Sequence, residues 1–141
     1  KCLLGTRKTI IKEIMEWAVH VERDNASSSN VFWLSGVAGS GKTSIAHTIS
    51  ELCASMGLLG SSFFFKHDEA GRNELMMMLS TMIVDLAAFN PKIAEVIHKV
   101  ITLNPSMTEV QRYFCDLILK SIRDSGYSNP ILLVLDAFDD C

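Results

Sequence analysis

Eight consecutive residues in the first third of the chain have types and a spacing that suit phosphate binding. Residues 36–43 fit the pattern GxxxxGK[ST], the P-loop. Its glycines let backbone N–H groups approach phosphate oxygens, and a helix that begins here would point its partly positive end at the same anion. Lys42 can reach the β- and γ-phosphates of a nucleotide, and the Thr43 hydroxyl can ligate Mg²⁺. A glycine-rich turn without a ligand is the alternative, although such a turn would require neither residue.

The loop and the start of the helix after it supply most of the predicted contacts to the cofactor. These contacts are Gly36, Val37, Ala38, Gly39, Ser40, Gly41, Lys42, Thr43 and Ser44. The predicted cofactors are ATP or ADP with Mg²⁺. The motif itself does not select adenine over guanine, because a P-loop binds the phosphates and not the base.

A second chemical signal lies near the end of the sequence, where the apolar run 131–135 is followed by Asp136. Many buried strands end in aspartate, so this signal is weak alone. Downstream of a P-loop, Asp136 would lie at the carboxyl end of its strand beside the Mg²⁺, as a Walker B aspartate. Thr43 and Asp136 are therefore the predicted metal ligands.

Two further carboxylates, Asp139 and Asp140, follow within four residues of Asp136. Three carboxylates so close together repel one another unless a cation or a general-base role justifies them. We therefore predict Asp139 and Asp140 as the catalytic residues that polarise a water molecule. A solvated acidic turn, with Asp139 as a helix N-cap, is the alternative.

Composition excludes several classes of partner. The chain has 141 residues, with 13 Lys and Arg against 16 Asp and Glu, so its net charge of −3 is unlike that of nucleic-acid binders. The charge also argues against a polybasic membrane-surface element. No apolar run approaches the ~18 residues of a membrane-spanning helix. We expect neither a nucleic-acid nor a membrane partner.

The four cysteines are far apart in the sequence, at Cys2, Cys53, Cys115 and Cys141. A zinc site needs clustered ligands, and a disulfide framework is typical of small, loop-rich secreted chains. Free, buried thiols in a reducing compartment are the better interpretation. The expected location is therefore cytoplasmic.

Strand-like and helix-like segments alternate along the chain. Helical spacing is found at 6–21, 42–56, 74–89 and from Asn90-Pro91 to about 101. A capping box at Ser106/Glu109 or at Thr108/Gln111 predicts a further helix that ends at about 125. Residues 31–34 read as a buried strand, 59–65 as a second strand and 131–135 as a central parallel strand. The methionines at 76–78 suit either core packing or a soft partner-binding surface. The fold class is α/β, with right-handed crossovers and a parallel sheet covered on both faces.

These residues resemble the NACHT domain of fungal STAND-type signalling ATPases, a group that also includes nephrocystin-like proteins. The resemblance is carried by Cys2, Gly5, Thr6, Arg7, Trp17, and residues 33–36, 59–60, 62–65 and 135–141. It implies a three-layer α/β/α P-loop NTPase in which ADP holds a closed state and ATP allows self-association of the full-length protein. It also implies that residues 5–7 lie near the adenine and ribose, so Arg7 joins the predicted nucleotide contacts.

The sequence departs from that family pattern at two positions. Phe138 replaces a usual Leu, which is a packing change, and Asp140 replaces a usual Glu. A carboxylate that is one methylene shorter is withdrawn by more than about an ångström, and water activation depends on geometry at that scale. The resemblance thus implies intact binding but slow hydrolysis, or hydrolysis carried by Asp139.

The resemblance further implies the strand order 5-1-4-3-2, with 31–34 as the first strand and 131–135 as the third. We expect an N-terminal helix and linker over 1–30 and a P-loop core over 31–141 that is incomplete, truncated after the Walker B strand. Isolated, such a chain would have unpaired strand edges that favour aggregation. Three functions remain open: a nucleotide-dependent switch with slow ATP hydrolysis, a non-catalytic assembly scaffold, and a small-molecule phosphotransferase.

Overall fold

A computed structural model describes residues 7–20, 30–65, 72–106 and 109–137. In these ranges the elements are α1 (Lys8–Val19), α2 (Lys42–Ser55), β1 (Leu59–Phe64), α3 (Arg72–Phe89), α4 (Pro91–Leu103), α5 (Val110–Arg112), a π-helical segment (Tyr113–Leu119), α6 (Lys120–Asp124) and β2 (Leu132–Asp136). The last three helical segments follow one another without a break. Within the described ranges, no helix combines the length and the apolar character needed to cross a membrane.

The two strands pair in parallel, as the sequence predicted. Leu59 lies opposite Leu132 and Phe64 lies opposite Asp136, with a change of register between Leu59 and Ser61. A side chain on the buried Gly60 would overlap the Ile131 side chain, so the glycine is what allows the two chain segments to approach here.

Helices pack on both faces of this sheet. One apolar cluster joins α1 and α2 to one face and contains Ile14, Ile45, Ile49 and Cys53, with Leu132 and Val134 packed against it. The larger cluster joins α3, α4 and the π-helical segment to the other face, and its fully buried members are Leu79, Met82, Leu86, Ile93 and Ile118. The mixed helix and strand content agrees with the predicted α/β class. The P-loop NTPase fold itself stays a prediction.

The helix ends follow the capping rules at two places. Asn90 is the N-cap of α4, and its side-chain oxygen accepts a hydrogen bond from the backbone N–H of Lys92 at 2.9 Å. At the end of α2, Gly57 has φ +69°, and the N–H of Leu58 donates to the carbonyl of Cys53 at 2.9 Å. This is a Schellman ending, which needs a residue with positive φ. Both predictions are confirmed.

The predicted capping box at Ser106/Glu109 is wrong. The helix begins at Val110, so Glu109 is itself the N-cap, and its side chain makes no capping hydrogen bond. Ser106 lies in the turn before it, too far from the first helical turn to cap it. The other proposed box depends on Thr108, which lies outside the described residues. The sequence also gave no sign of the π-helical segment that follows.

The predicted buried strand at 31–34 is also wrong. The segment has no regular secondary structure, and the described strands β1 and β2 pair with each other and not with it. Its side chains alternate in burial: Phe32 and Leu34 pack on the α1/α2 cluster, whereas Val31 and Trp33 are 69% and 66% exposed. The segment is held by side-chain packing, including a contact between the rings of Phe32 and Trp17 with centroids 5.6 Å apart.

Candidate functional site

The loop at residues 36–41 has a backbone that only glycine adopts readily at two positions. Gly39 has φ +75° and Gly41 has φ +84°, both in the left-handed region. Between them, the N–H of Ser40 donates to the carbonyl of Val37 at 3.1 Å and closes a turn. Gly41 is the N-cap of α2 and has no side chain to cap the first turn. The first N–H groups of α2 are thus available to an anion.

The side chain of Lys42 folds back across this loop. Its Nζ donates to the carbonyl of Gly36 at 2.6 Å and contacts the carbonyl of Val37 at 3.4 Å. Gly36 also lies close to Ser40, since an added Cβ would meet the Ser40 Oγ at 3.0 Å. The ammonium group is therefore held over the loop by backbone oxygens, at the place where the loop turns into α2.

Arg7 reaches the same loop from the start of α1. Its Nη1 donates to the carbonyl of Gly41 at 2.8 Å, and a side chain at position 41 would overlap the guanidinium. Arg7 itself has φ +57°, in the left-handed region. From the residues alone Arg7 had no explained role. The structure places it on the backbone at the entry to α2, where it adds a second cation beside the loop.

The orientation of α2 determines what lies opposite the loop. Its C-terminal end adjoins the start of β2, where the carbonyl of Leu58 accepts from the N–H of Leu132 at 2.8 Å. Nearer its N-terminus, the ring of His47 stacks on Phe64 at the end of β1, with centroids 3.9 Å apart. The helix therefore runs antiparallel to the strands. Its N-terminus and the loop lie at the edge of the sheet where both strands end.

Asp136 ends β2 at that same edge and is buried, with 9% of its surface exposed. Leu132 and Val134 pack on the side covered by α1 and α2. Because side chains alternate along a strand, Asp136 also faces that side. The fold thus brings Asp136 to the edge and the face that carry the start of α2.

The remaining predicted site residues divide into two groups. Thr43 is exposed and Ser44 half-buried in the first turn of α2, while Val37 and Ala38 are exposed on the loop. Asp139 and Asp140, the predicted catalytic residues, lie outside the described residues. In the described part of the chain, no three His, Cys, Asp or Glu side chains are grouped closely enough to hold a metal ion. A hydroxyl and a carboxylate do suit Mg²⁺, which is bound by few protein oxygens and completes its shell with phosphate and water.

Sequence reasoning missed the contact between His47 and Phe64 and assigned His47 no role at the site. One signal was available: His47 follows Thr43 by four residues, so both lie on one face of α2. Its stacking partner could not be known before the strand was placed against the helix.

A comparison with family models identifies the chain over almost its whole length. The model described as nephrocystin 3, N-terminal, matches residues 5–141. The chain belongs to this family. No curated protein matched the chain, and neither did any solved structure.

The nephrocystin 3 N-terminal match begins just before Arg7 and includes the loop, both strands and residues 138–141. It agrees with the nephrocystin-like part of the resemblance. The NACHT and STAND assignments stay predictions.

Proposed function

We propose that this chain binds ATP or ADP with Mg²⁺ at residues 36–43 and acts as the nucleotide-dependent switch module of a larger signalling protein, with slow ATP hydrolysis. One observation carries the proposal: two glycines with positive φ lead into the uncapped N-terminus of α2, with the Lys42 ammonium held over the loop. Backbone N–H groups, a helix N-terminus and a lysine together form a site for phosphate groups.

Charge supports the same proposal. Lys42 and Arg7 bring two cations to the loop, and both donate to its backbone carbonyls. The negative charge of a nucleotide polyphosphate would balance these two positive charges. Lys42 is already held by Gly36, so less side-chain entropy is lost on binding. Resemblance to NACHT ATPases favours adenine over guanine.

Thr43 and Asp136 would hold the Mg²⁺, because both lie where the helix start meets the strand ends. Bound there, Mg²⁺ would neutralise charge on the phosphate oxygens. Asp139 and Asp140 remain the proposed residues that orient water, and the shorter side chain of Asp140 is the reason that we propose slow hydrolysis. Self-association in the ATP state belongs to the same proposal and would involve the full-length protein.

The direct test is binding of a fluorescent ATP analogue with Mg²⁺, competed by ATP, ADP and GTP. Lys42→Ala should weaken binding at least about tenfold, because a charged hydrogen bond contributes about 1.5–3 kcal/mol and 1.4 kcal/mol is tenfold in affinity. Lys120→Ala removes an exposed lysine at the start of α6 and is the matched control.

Circular dichroism would establish that both lysine variants fold. Equal binding by wild type, Lys42→Ala and Lys120→Ala would contradict the proposed site. Competition by GTP as strong as that by ATP would contradict the proposed adenine preference while leaving the phosphate site in place.

An assembly scaffold is the second candidate, and a specific surface favours it. Val31, Trp33 and Val37 are all more than 60% exposed on the stretch that leads into the loop. A second copy of the chain is the occupant that self-association would supply. Sedimentation of Lys42→Ala separates the two functions, since a switch loses nucleotide binding and nucleotide-dependent association together, whereas a scaffold keeps its association.

A further inference from the structure

One aromatic contact joins the helix of the proposed site to the strands. The rings of His47 and Phe64 are stacked with centroids 3.9 Å apart and planes within 8° of parallel. His47 is exposed and Phe64 is half-buried at the end of β1. The contact therefore lies at the edge of the sheet where the loop and Asp136 are found.

Each of the two rings belongs to a residue that neighbours a proposed Mg²⁺ ligand. His47 lies one helical turn after Thr43 on the same face of α2, a rise of about 6 Å. Phe64 is the register partner of Asp136, and neighbouring strands are about 4.8 Å apart. A single stacked pair thus connects the element that carries Thr43 to the position directly opposite Asp136.

Several contacts of α2 with the sheet are apolar. Ile45, Ile49 and Cys53 pack through aliphatic and thiol groups. Such contacts are non-directional. A directional restraint on the helix, the hydrogen bond from the Leu132 N–H to the Leu58 carbonyl, lies at its C-terminal end, away from the loop. Stacked rings have a preferred offset and separation, so the His47 pair supplies that restraint close to the site.

We propose that His47 is a positioning residue, whose stack on Phe64 sets the separation of Thr43 and Asp136 and thereby the Mg²⁺ dependence of nucleotide binding. This inference rests on the proposed function. Mg²⁺ requires nearly octahedral geometry with ligands at about 2.0–2.1 Å, so it is sensitive to a small shift of one ligand. Phosphate binding by the loop depends on residues 36–42 and is not expected to need the stack.

The experiment compares the affinity of a fluorescent ATP analogue in Mg²⁺ with its affinity in EDTA. His47→Ala and Phe64→Leu should leave the affinity in EDTA within about twofold and reduce the Mg²⁺ enhancement about three- to tenfold, the range that loss of an aromatic pair gives. His47→Phe keeps a planar ring and should restore the enhancement. Phe89→Leu is the matched control, since Phe89 makes an edge contact with Tyr127 at 5.4 Å between the end of α3 and the approach to β2.

Each outcome bears on the inference. Full Mg²⁺ enhancement in both His47→Ala and Phe64→Leu would overturn it and leave the proposed function standing. Failure of His47→Phe to restore the enhancement would show that the imidazole acts on the bound complex and not through stacking. If His47→Ala and Phe64→Leu lose affinity in EDTA as well, and their Tm falls more than that of Phe89→Leu, the pair stabilises only the fold and the inference is overturned. A wild-type chain that binds no nucleotide would overturn the inference and the proposed function together.

Discussion

Gly41 combines two constraints that no other residue of the loop shares. It has φ +84°, and any side chain there would overlap the guanidinium of Arg7. Gly39 also has positive φ, but open space surrounds the position of its missing Cβ. Substitutions at the two glycines therefore distinguish two costs: backbone strain alone at position 39, and backbone strain together with overlap with Arg7 at position 41.

Gly41→Ala should destabilise the chain more than Gly39→Ala, as measured by urea denaturation. Each substitution puts a side chain in the left-handed region, at a cost of about 1–2 kcal/mol, and only Gly41→Ala also displaces Arg7. Adding Arg7→Ala should reduce the excess loss in Gly41→Ala and leave Gly39→Ala unaffected. Equal destabilisation of the two glycine variants would contradict the contact between Arg7 and the loop.

At the scale of elements, the junction of β1, β2 and α3 depends on the absence of a side chain at Gly60. An added Cβ would overlap the Ile131 side chain and would lie 3.1 Å from Leu86 and 3.3 Å from Leu133. Leu86 lies in α3 and is a fully buried member of the larger apolar cluster. The pairing of the strands and their packing on α3 are thus set at one residue.

Gly60→Ala should lower the free energy of unfolding by about 1–3 kcal/mol, the usual cost of overpacking a core. A double-mutant cycle with Ile131→Ala measures the cause, because removing the opposing side chain should recover part of the loss. Strict additivity of the two substitutions would count against the overlap.

At the scale of the whole molecule, α1 and α2 pack against each other in a cluster that contains the thiol of Cys53. Cys53 is fully buried, and its Sγ lies 3.6 Å from the Sδ of Met15. Burial raises the pKa of the Cys53 thiol, because the thiolate would lose its hydration. The folded chain therefore binds this proton more tightly than the unfolded chain does.

The stability that Cys53 contributes should be complete below the pKa of an unfolded thiol, about 8.5, and should decline as the pH rises through the higher folded value. The measurement is the free energy of unfolding from pH 7 to 10 for Cys115→Ala with and without Cys53→Ala. Cys115→Ala removes an exposed thiol and simplifies the comparison. The gap between the two proteins should narrow at high pH, and a constant gap would contradict the linkage.

Local sequence signals were sufficient to predict four of the helices and two of their ends. The spacing of apolar side chains predicted α1, α2, α3 and α4, Asn90-Pro91 predicted the start of α4, and Gly57 predicted the end of α2. The glycine spacing before Lys42 predicted a loop that opens a helix, and the left-handed glycines at 39 and 41 agree with it. Periodicity and positive φ act over a few residues, so the sequence alone predicted them here, whereas the capping box at Ser106/Glu109 was a local signal that failed.

Only the tertiary structure decided the features that depend on distant neighbours. The segment 31–34 has the right residues for a strand, but a strand requires a hydrogen-bonded partner, and neither β1 nor β2 pairs with this segment. The contact of Arg7 with Gly41 spans 34 residues of sequence, and the stack of His47 on Phe64 joins a helix to a strand. The sequence thus predicted which residues could bind a phosphate, whereas packing of α2 antiparallel to the strands decided that Arg7, Lys42 and Asp136 lie at one edge of the sheet.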